Sequence, residues 1–154
     1  MKKSNPTKTI EGCQKDDCYM CAAGNFRLCH KSNICYSYSC QTCLEPTTTN
    51  PSPPTHPPKY VGETHRNFYS RNIEHRERLQ KKDQNNFIFA HQQEKHHGES
   101  INLKMKVKKI CKDPLTRQVS EAVLIRNIKG EALNGKMEFN QPRLINMRRE
   151  LQVG

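Results

Sequence analysis

Seven of the eight cysteines fall within residues 12–43, and their spacing limits what this stretch can become. Cys13, Cys18, Cys21 and Cys29 follow the pattern C-x4-C-x2-C-x7-C. Short spacings let neighbouring thiolates reach one ion, and thiolates are soft donors suited to tetrahedral zinc. The chain has 154 residues of which 33% are hydrophobic, with no Trp and a mean hydropathy of −0.96. A chain so short of apolar side chains gains order from metal ligation. Free or redox-active thiols are the alternative, and His30 is an alternative fourth ligand. Cys40 and Cys43 form a second C-x2-C half-site. His91 and His96, four residues intervening, offer the two donors it lacks, with His97 in competition with His96. Isolated surface histidines are the plainer reading of that pair. Cys35 and Cys111 stay unassigned and read as ordinary buried residues.

The chain carries no apolar run long enough to span a membrane, and its Lys-rich start lacks the apolar stretch of a signal peptide. This predicts an intracellular, reducing location without a membrane partner, where cysteines bind metal rather than form disulfides. Net charge is +11 and pI near 9.4. Residues 59–112 hold thirteen Lys and Arg against six Asp and Glu, so the charge is concentrated there. A polyanion, nucleic acid first, is the expected partner, against the plain alternative of a generic basic surface.

Residues 1–11 read as a disordered basic tail and 12–32 as a four-cysteine, zinc-stapled lead-in. Residues 33–39 are strand-prone. The Pro- and Thr-rich stretch 44–58 excludes regular structure and reads as a loop. Residues 59–63 form a second short strand, predicted to pair with the first across that loop. A helix follows over 66–82, capped by Thr64, and another over 85–97. Residues 101–108 alternate strictly, with Ile101, Leu103, Met105 and Val107 on one face and Lys104, Lys106 and Lys108 on the other. Pro114 opens a last helix whose apolar stripe is Leu115, Val119, Ala122 and Val123. Residues 129–142 are turn-rich and 143–154 are a basic tail. The order predicts an α+β domain with a small antiparallel sheet of about three strands flanked by helices.

Phosphodiester hydrolysis needs a base near a water nucleophile, positive charge at the phosphate and a hard cation held by a carboxylate. Tyr36 and Tyr60, on paired strands, are candidates for the first part. Arg71 is a candidate phosphate clamp, and His75 shares its helix face. Glu121, beside the apolar stripe of the last helix, is a candidate cation ligand. Half-buried strand tyrosines, a solvated arginine and a surface carboxylate are the structural alternatives for the same residues.

The chain also resembles a known family. Ile34-Cys35-Tyr36, Tyr60-Val61-Gly62-Glu63-Thr64, Arg71 and Glu74-His75 look like the GIY-YIG endonuclease signature. The stretches CYSYSCQTC, YVGETHRNFYSRNIEH, HQQEKHHGE, RQVSEAVLIRN and LNGKMEFNQP are similar, in order over about residues 13–142, to the endonuclease domain of Penelope-like retroelements. Three departures in the matched stretch stand out: the first motif has no glycine, the loop 44–58 between the motifs is long and Pro-rich, and Phe139 stands where that domain carries Trp.

The resemblance implies that Tyr36 or Tyr60 deprotonates or orients the attacking water. It further implies that Arg71 stabilises charge on the phosphate, that His75 supports proton transfer and that Glu121 holds Mg2+ or Mn2+. Asn134 and Asn140 would support the site. Cys40, Cys43, His91 and His96 would bind one zinc ion, beside a second on Cys13, Cys18, Cys21 and Cys29. Residues 33–142 would be the nuclease domain.

The function expected on these grounds is nicking of DNA to expose a 3′ hydroxyl for target-primed reverse transcription. Lys104, Lys106 and Lys108 would contact backbone phosphates. DNA is the expected partner, with RNA and a reverse-transcriptase domain of the same element further candidates, and the nucleus is the expected location. A zinc-stabilised nucleic-acid-binding module without catalysis is the alternative, and a disordered basic interaction protein a third reading.

Overall fold

A computed structural model describes residues 13, 15–22 and 27–134. In chain order these form a short helix α1 (Tyr19–Ala22), strands β1 (Ile34–Cys40) and β2 (Lys59–Thr64), helices α2 (Phe68–Gln80) and α3 (Phe87–His96), strand β3 (Leu103–Ile110) and helix α4 (Pro114–Arg126). The fold is α+β, with one antiparallel sheet in the order β2-β1-β3. From β1 onward the expected sequence of strands and helices is the one observed; the short helix α1 in the lead-in was not expected. The tails at 1–11 and 143–154, with Phe139 and Asn140, lie outside the described residues.

β1 is central, and all seven of its residues are buried. It pairs with β2 without interruption from Ile34 opposite Thr64 to Ser39 opposite Lys59. The Pro/Thr loop therefore leaves the pairing regular, and its far end is tied down where Cys40 N–H donates to Pro58 O at 3.0 Å. Side chains alternate across a strand, and directly paired residues share a face. Tyr36, Tyr38, Tyr60 and Gly62 thus project to one side, and Cys35, Ser37, Ser39, Lys59 and Glu63 to the other. Tyr36, Tyr38 and Tyr60 join Phe68, Ile88, Ile34, Met20, Cys18 and Cys29 in one core. The cysteine-rich lead-in is therefore part of the main packing.

Three local expectations need correcting. The cap of α2 is Asn67, whose side chain accepts from Ser70 N–H at 2.9 Å; Thr64 instead closes β2 and accepts from Arg66 N–H. An Asn with extended backbone is as good a cap as Thr, and the strand runs one residue longer than expected. In β3 the alternation holds from Leu103 to Val107, but a bulge beside Cys35 and Tyr36 makes Lys108 the extra residue. In α4 the stripe of Leu115 and Val123 is about half exposed. Of the expected stripe Ala122 is buried and Val119 half-buried, and the other buried positions are Arg117, Ser120 and Ile125. The Arg117 guanidinium pairs with Glu63 and donates to Asn33 Oδ1 at 2.6 Å, and the Cys35 thiol donates to Arg117 O. These polar anchors, rather than the apolar stripe, set the helix rotation.

Candidate functional site

On the tyrosine side of the sheet, α2 carries Arg71 and His75 one turn apart, which places both over β1. Arg71 Nε–H donates to the Tyr36 hydroxyl oxygen at 2.9 Å, and that hydroxyl lies 2.8 Å from His75 Nε2. A guanidinium can only donate, so the tyrosine oxygen accepts from Arg71 and its single proton is free for His75. His75 then carries its own proton on Nδ1, which is buried with no partner among the described residues. Tyr36 is fully buried and His75 is 6% exposed. Burial, with Tyr60 adding to it and Arg71 opposing, holds the Tyr36 hydroxyl well above its ordinary pKa. Burial first, then the charges of Arg71 and Arg78, depress His75 to about 3 against the pull of Glu74. The resting pair is therefore a protonated tyrosine and a neutral imidazole.

Gly62 explains how the Tyr36 ring fits. A Cβ at position 62 would lie 2.5 Å from the tyrosine hydroxyl oxygen, so the ring crosses the strand where only hydrogen can stand. Tyr60 is diagonal to Tyr36, with ring centroids 6.5 Å apart, and stacks on Phe87 of α3 at 6.3 Å. The residue directly opposite Tyr60 is Tyr38, whose hydroxyl donates to Asn72 Oδ1. Beyond these rings a polar cleft of about 90 Å³ is lined by Tyr60, Arg71, His75, Arg78 and the Asn85–Asn86 turn before α3. Arg71 is steadied by Glu74 at 2.7 Å, which also pairs with Arg66. Burial works against ionising Glu74, but the hydrogen bond and charge of Arg71 hold its carboxyl below the usual range.

The structure thus brings Tyr36, Tyr60, Arg71 and His75 together. Asn134 lies at the outer edge of β2, where its amide donates to Val61 O at 2.7 Å and accepts from Val61 N–H at 3.0 Å, fixing the residue between Tyr60 and Gly62. Glu121 is half-buried on α4, the helix anchored to the Cys35–Glu63 side of the sheet. Its charge is near enough to help burial and Cys111 push the Cys35 thiol up to about 12. Tyr38, Asn72 and Arg78 were missed from the sequence. Tyr38 was legible as the i+2 neighbour of Tyr36, and Arg78 as the i+7 neighbour of Arg71.

Both cysteine groups close into compact donor clusters. The ligand atoms of Cys13, Cys18, Cys21 and Cys29 lie within 4.8 Å of one another, as do those of Cys40, Cys43, His91 and His96. Tetrahedral Zn–S bonds of about 2.3 Å place sulfurs about 3.8 Å apart, and Zn–N bonds near 2.0–2.1 Å place nitrogens about 3.3 Å apart. Sγ of Cys21 is 3.6 Å from that of Cys13 and 3.7 Å from that of Cys29. Nε2 of His91 and His96 are 3.3 Å apart, and Cys43 Sγ lies 3.3 and 3.2 Å from them. These are the edges of tetrahedra sized for zinc, so both clusters can bind it. Burial pushes the Cys43 thiol up to about 12, a cost that a bound dication reverses. His96 is the second histidine of the cluster, since His97 has already left the helix in the left-handed conformation.

No protein-family model, curated protein or solved structure matches this chain. No helix of the described residues is long and apolar enough to cross a membrane.

Proposed function

We propose that this chain is a metal-dependent DNA endonuclease of the GIY-YIG type, similar to the endonuclease domain of Penelope-like retroelements, which nicks its target for reverse transcription. The observation that carries the reading is the hydrogen-bonded group Arg71–Tyr36–His75 beside a cleft lined by two arginines. Arg71 and Arg78 give the cleft the charge to hold a phosphodiester. The Tyr36 hydroxyl is closed off from the cleft at rest, so it has to open to the attacking water, which then passes its proton to Tyr36 as Tyr36 passes its own to the empty Nε2 of His75. That transfer is uphill in the resting protein, because Arg71 and Arg78 disfavour an imidazolium. A phosphate in the cleft offsets their charge and raises the proton affinity of His75 as the reaction proceeds. The oxygen of water bonds to phosphorus as the P–O3′ bond breaks, the departing O3′ takes a proton from solvent, and His75 returns its proton to solvent through Tyr36, leaving a 5′-phosphate and a 3′-hydroxyl.

A bound Mg2+ or Mn2+ supplies Lewis-acid stabilisation of the phosphate oxygens. Glu121, a half-buried carboxylate of α4, is the donor the resemblance implies for it; it lies on the Cys35–Glu63 side of the sheet and not among the residues that line the Arg71–Arg78 cleft. The zinc clusters hold the frame: one orders the lead-in against α2, the other joins the end of β1 to α3.

Full burial of Tyr36 favours a second reading, a zinc-stabilised nucleic-acid-binding module in which the same hydrogen bonds serve packing alone. Nicking of supercoiled plasmid in Mg2+ or Mn2+ separates the two. The nuclease converts it to open circles, and Glu121→Ala abolishes conversion while leaving fold and zinc content intact. DNA binding without nicking by folded, zinc-loaded protein would falsify the nuclease reading.

A further inference from the structure

The lysines of β3 face away from the tyrosine cleft. Ser39 is paired with Lys59 on one side and Lys104 on the other, and Ser37 with Lys106, so these side chains share the sheet face opposite Tyr36. Strand geometry puts Lys104 about 6.8 Å from Lys106 and two strand spacings, about 9.5 Å, from Lys59. Ser37 and Ser39 between them are small and buried, which leaves a shallow floor with ammonium groups on both sides. The bulge adds Lys108 to the same group. Burial, then the charges of Lys106 and Lys59, pull its pKa below the ordinary value, so the ammonium groups crowd one another. α4 packs at the Cys35–Glu63 end of this face, away from the Ser39 row.

Like charges converging on a flat floor are stabilised by a polyanion whose own charges are closely spaced. The floor residues are serines rather than the aromatic or aliphatic side chains that insert into a membrane. A duplex, with one negative charge per about 1.7 Å of axis, fits better than a membrane surface. We propose that Lys59, Lys104, Lys106 and Lys108 form a second DNA-binding surface, which holds a duplex segment distinct from the one at the Arg71–Arg78 cleft. The domain then bridges two DNA segments, one on each face of its sheet. This inference rests on the nuclease reading only for the occupant of the cleft.

Binding of a short fluorescent DNA duplex to zinc-loaded protein, without added Mg2+ and across a salt series, tests it. The wild type binds two duplexes per chain. Lys59→Gln/Lys104→Gln/Lys106→Gln binds one, and the slope of log affinity against log salt falls by about 2.7, the loss of three phosphate contacts. Arg71→Ala/Arg78→Ala also binds one and keeps the lysine-dependent share of the slope. Lys104 and Lys106 are exposed and Lys59 is half-buried, and circular dichroism with zinc content checks that the variants fold. Three results would overturn the proposal: one duplex per wild-type chain, an unchanged slope in the lysine variant, or binding to anionic vesicles that duplex does not displace. Nicking is read separately in Mg2+. Two bound duplexes without nicking sink the nuclease reading alone, and nicking with a single bound duplex sinks the second surface alone.

Discussion

The hydroxyl of Tyr36 and Nε2 of His75 meet at 2.8 Å in the interior, on side chains 39 residues apart. The contact joins the central strand to α2, and Arg71 completes it from the same helix. Tyr36→Phe removes the shared proton while keeping the ring that fills the core. The expected result is a loss of nicking of about 10²–10⁴-fold with the fold retained. Leaving His75 and Arg71 without this partner also costs stability, about 1–3 kcal/mol. Plasmid conversion and urea unfolding measured on one sample check both, and an undiminished nicking rate would remove Tyr36 from the chemistry.

Gly62 controls the same contact from the neighbouring strand. Gly62→Ala forces a methyl group into the Tyr36 ring, and overpacking of this kind costs about 1–3 kcal/mol. Stability and nicking fall together in this variant, whereas Leu115→Ala, at a half-exposed position of α4, leaves nicking alone. Denaturant midpoints with nicking rates on both variants settle the point.

His75 predicts a pH dependence of stability. Its folded value is about 3, against an ordinary 6.5, because burial and the two arginines disfavour the cation. Between those values the unfolded chain binds more protons than the native one, so stability rises with pH. The contribution is complete above about 6.5 and is lost as pH falls toward 3, at up to about 1.4 kcal/mol per pH unit. Acid also weakens metal binding by the Cys/His cluster, so the comparison is between the wild type and His75→Gln. Urea midpoints at about pH 5 and about pH 7 differ less in the variant; equal differences would place the acid sensitivity elsewhere.

The metal clusters predict two zinc ions per chain by atomic spectroscopy. Cys40→Ser/Cys43→Ser lowers the count to one and loosens α3, which carries both histidine ligands and the Phe87 ring that stacks on Tyr60. Chelation of both ions unfolds the lead-in together with the tyrosine core, since Cys18 and Cys29 belong to that core. A chelated protein with an unchanged circular dichroism spectrum would contradict this.

Period, spacing and turn composition made the element order and the two donor sets readable before any coordinates. A strict alternation from Leu103 to Val107 has one physical meaning, and C-x2-C with a distant H-x4-H needs only a fold that brings its halves together. The rotation of α4 was not readable, because Arg117 finds Glu63 and Asn33, more than fifty residues away, and their pairing outweighs two exposed apolar side chains. The same holds for the lysines. Their alternation was plain, but which sheet face they share depends on the register with β1, which local pattern does not carry. The group around Tyr36 was half legible. Arg71 and His75 share a helix face by spacing alone, whereas the gap that Gly62 leaves for the tyrosine ring exists only once the strands pair.

The excursion between β1 and β2 leaves through the Cys40–Cys43 turn and returns at Pro58, which bonds back to Cys40. Its two ends are therefore fastened to each other independently of what lies between them. The loop can grow, shrink or accept a foreign insert without shifting Tyr36 against Gly62. The segment is accordingly a natural port for a reporter or affinity tag.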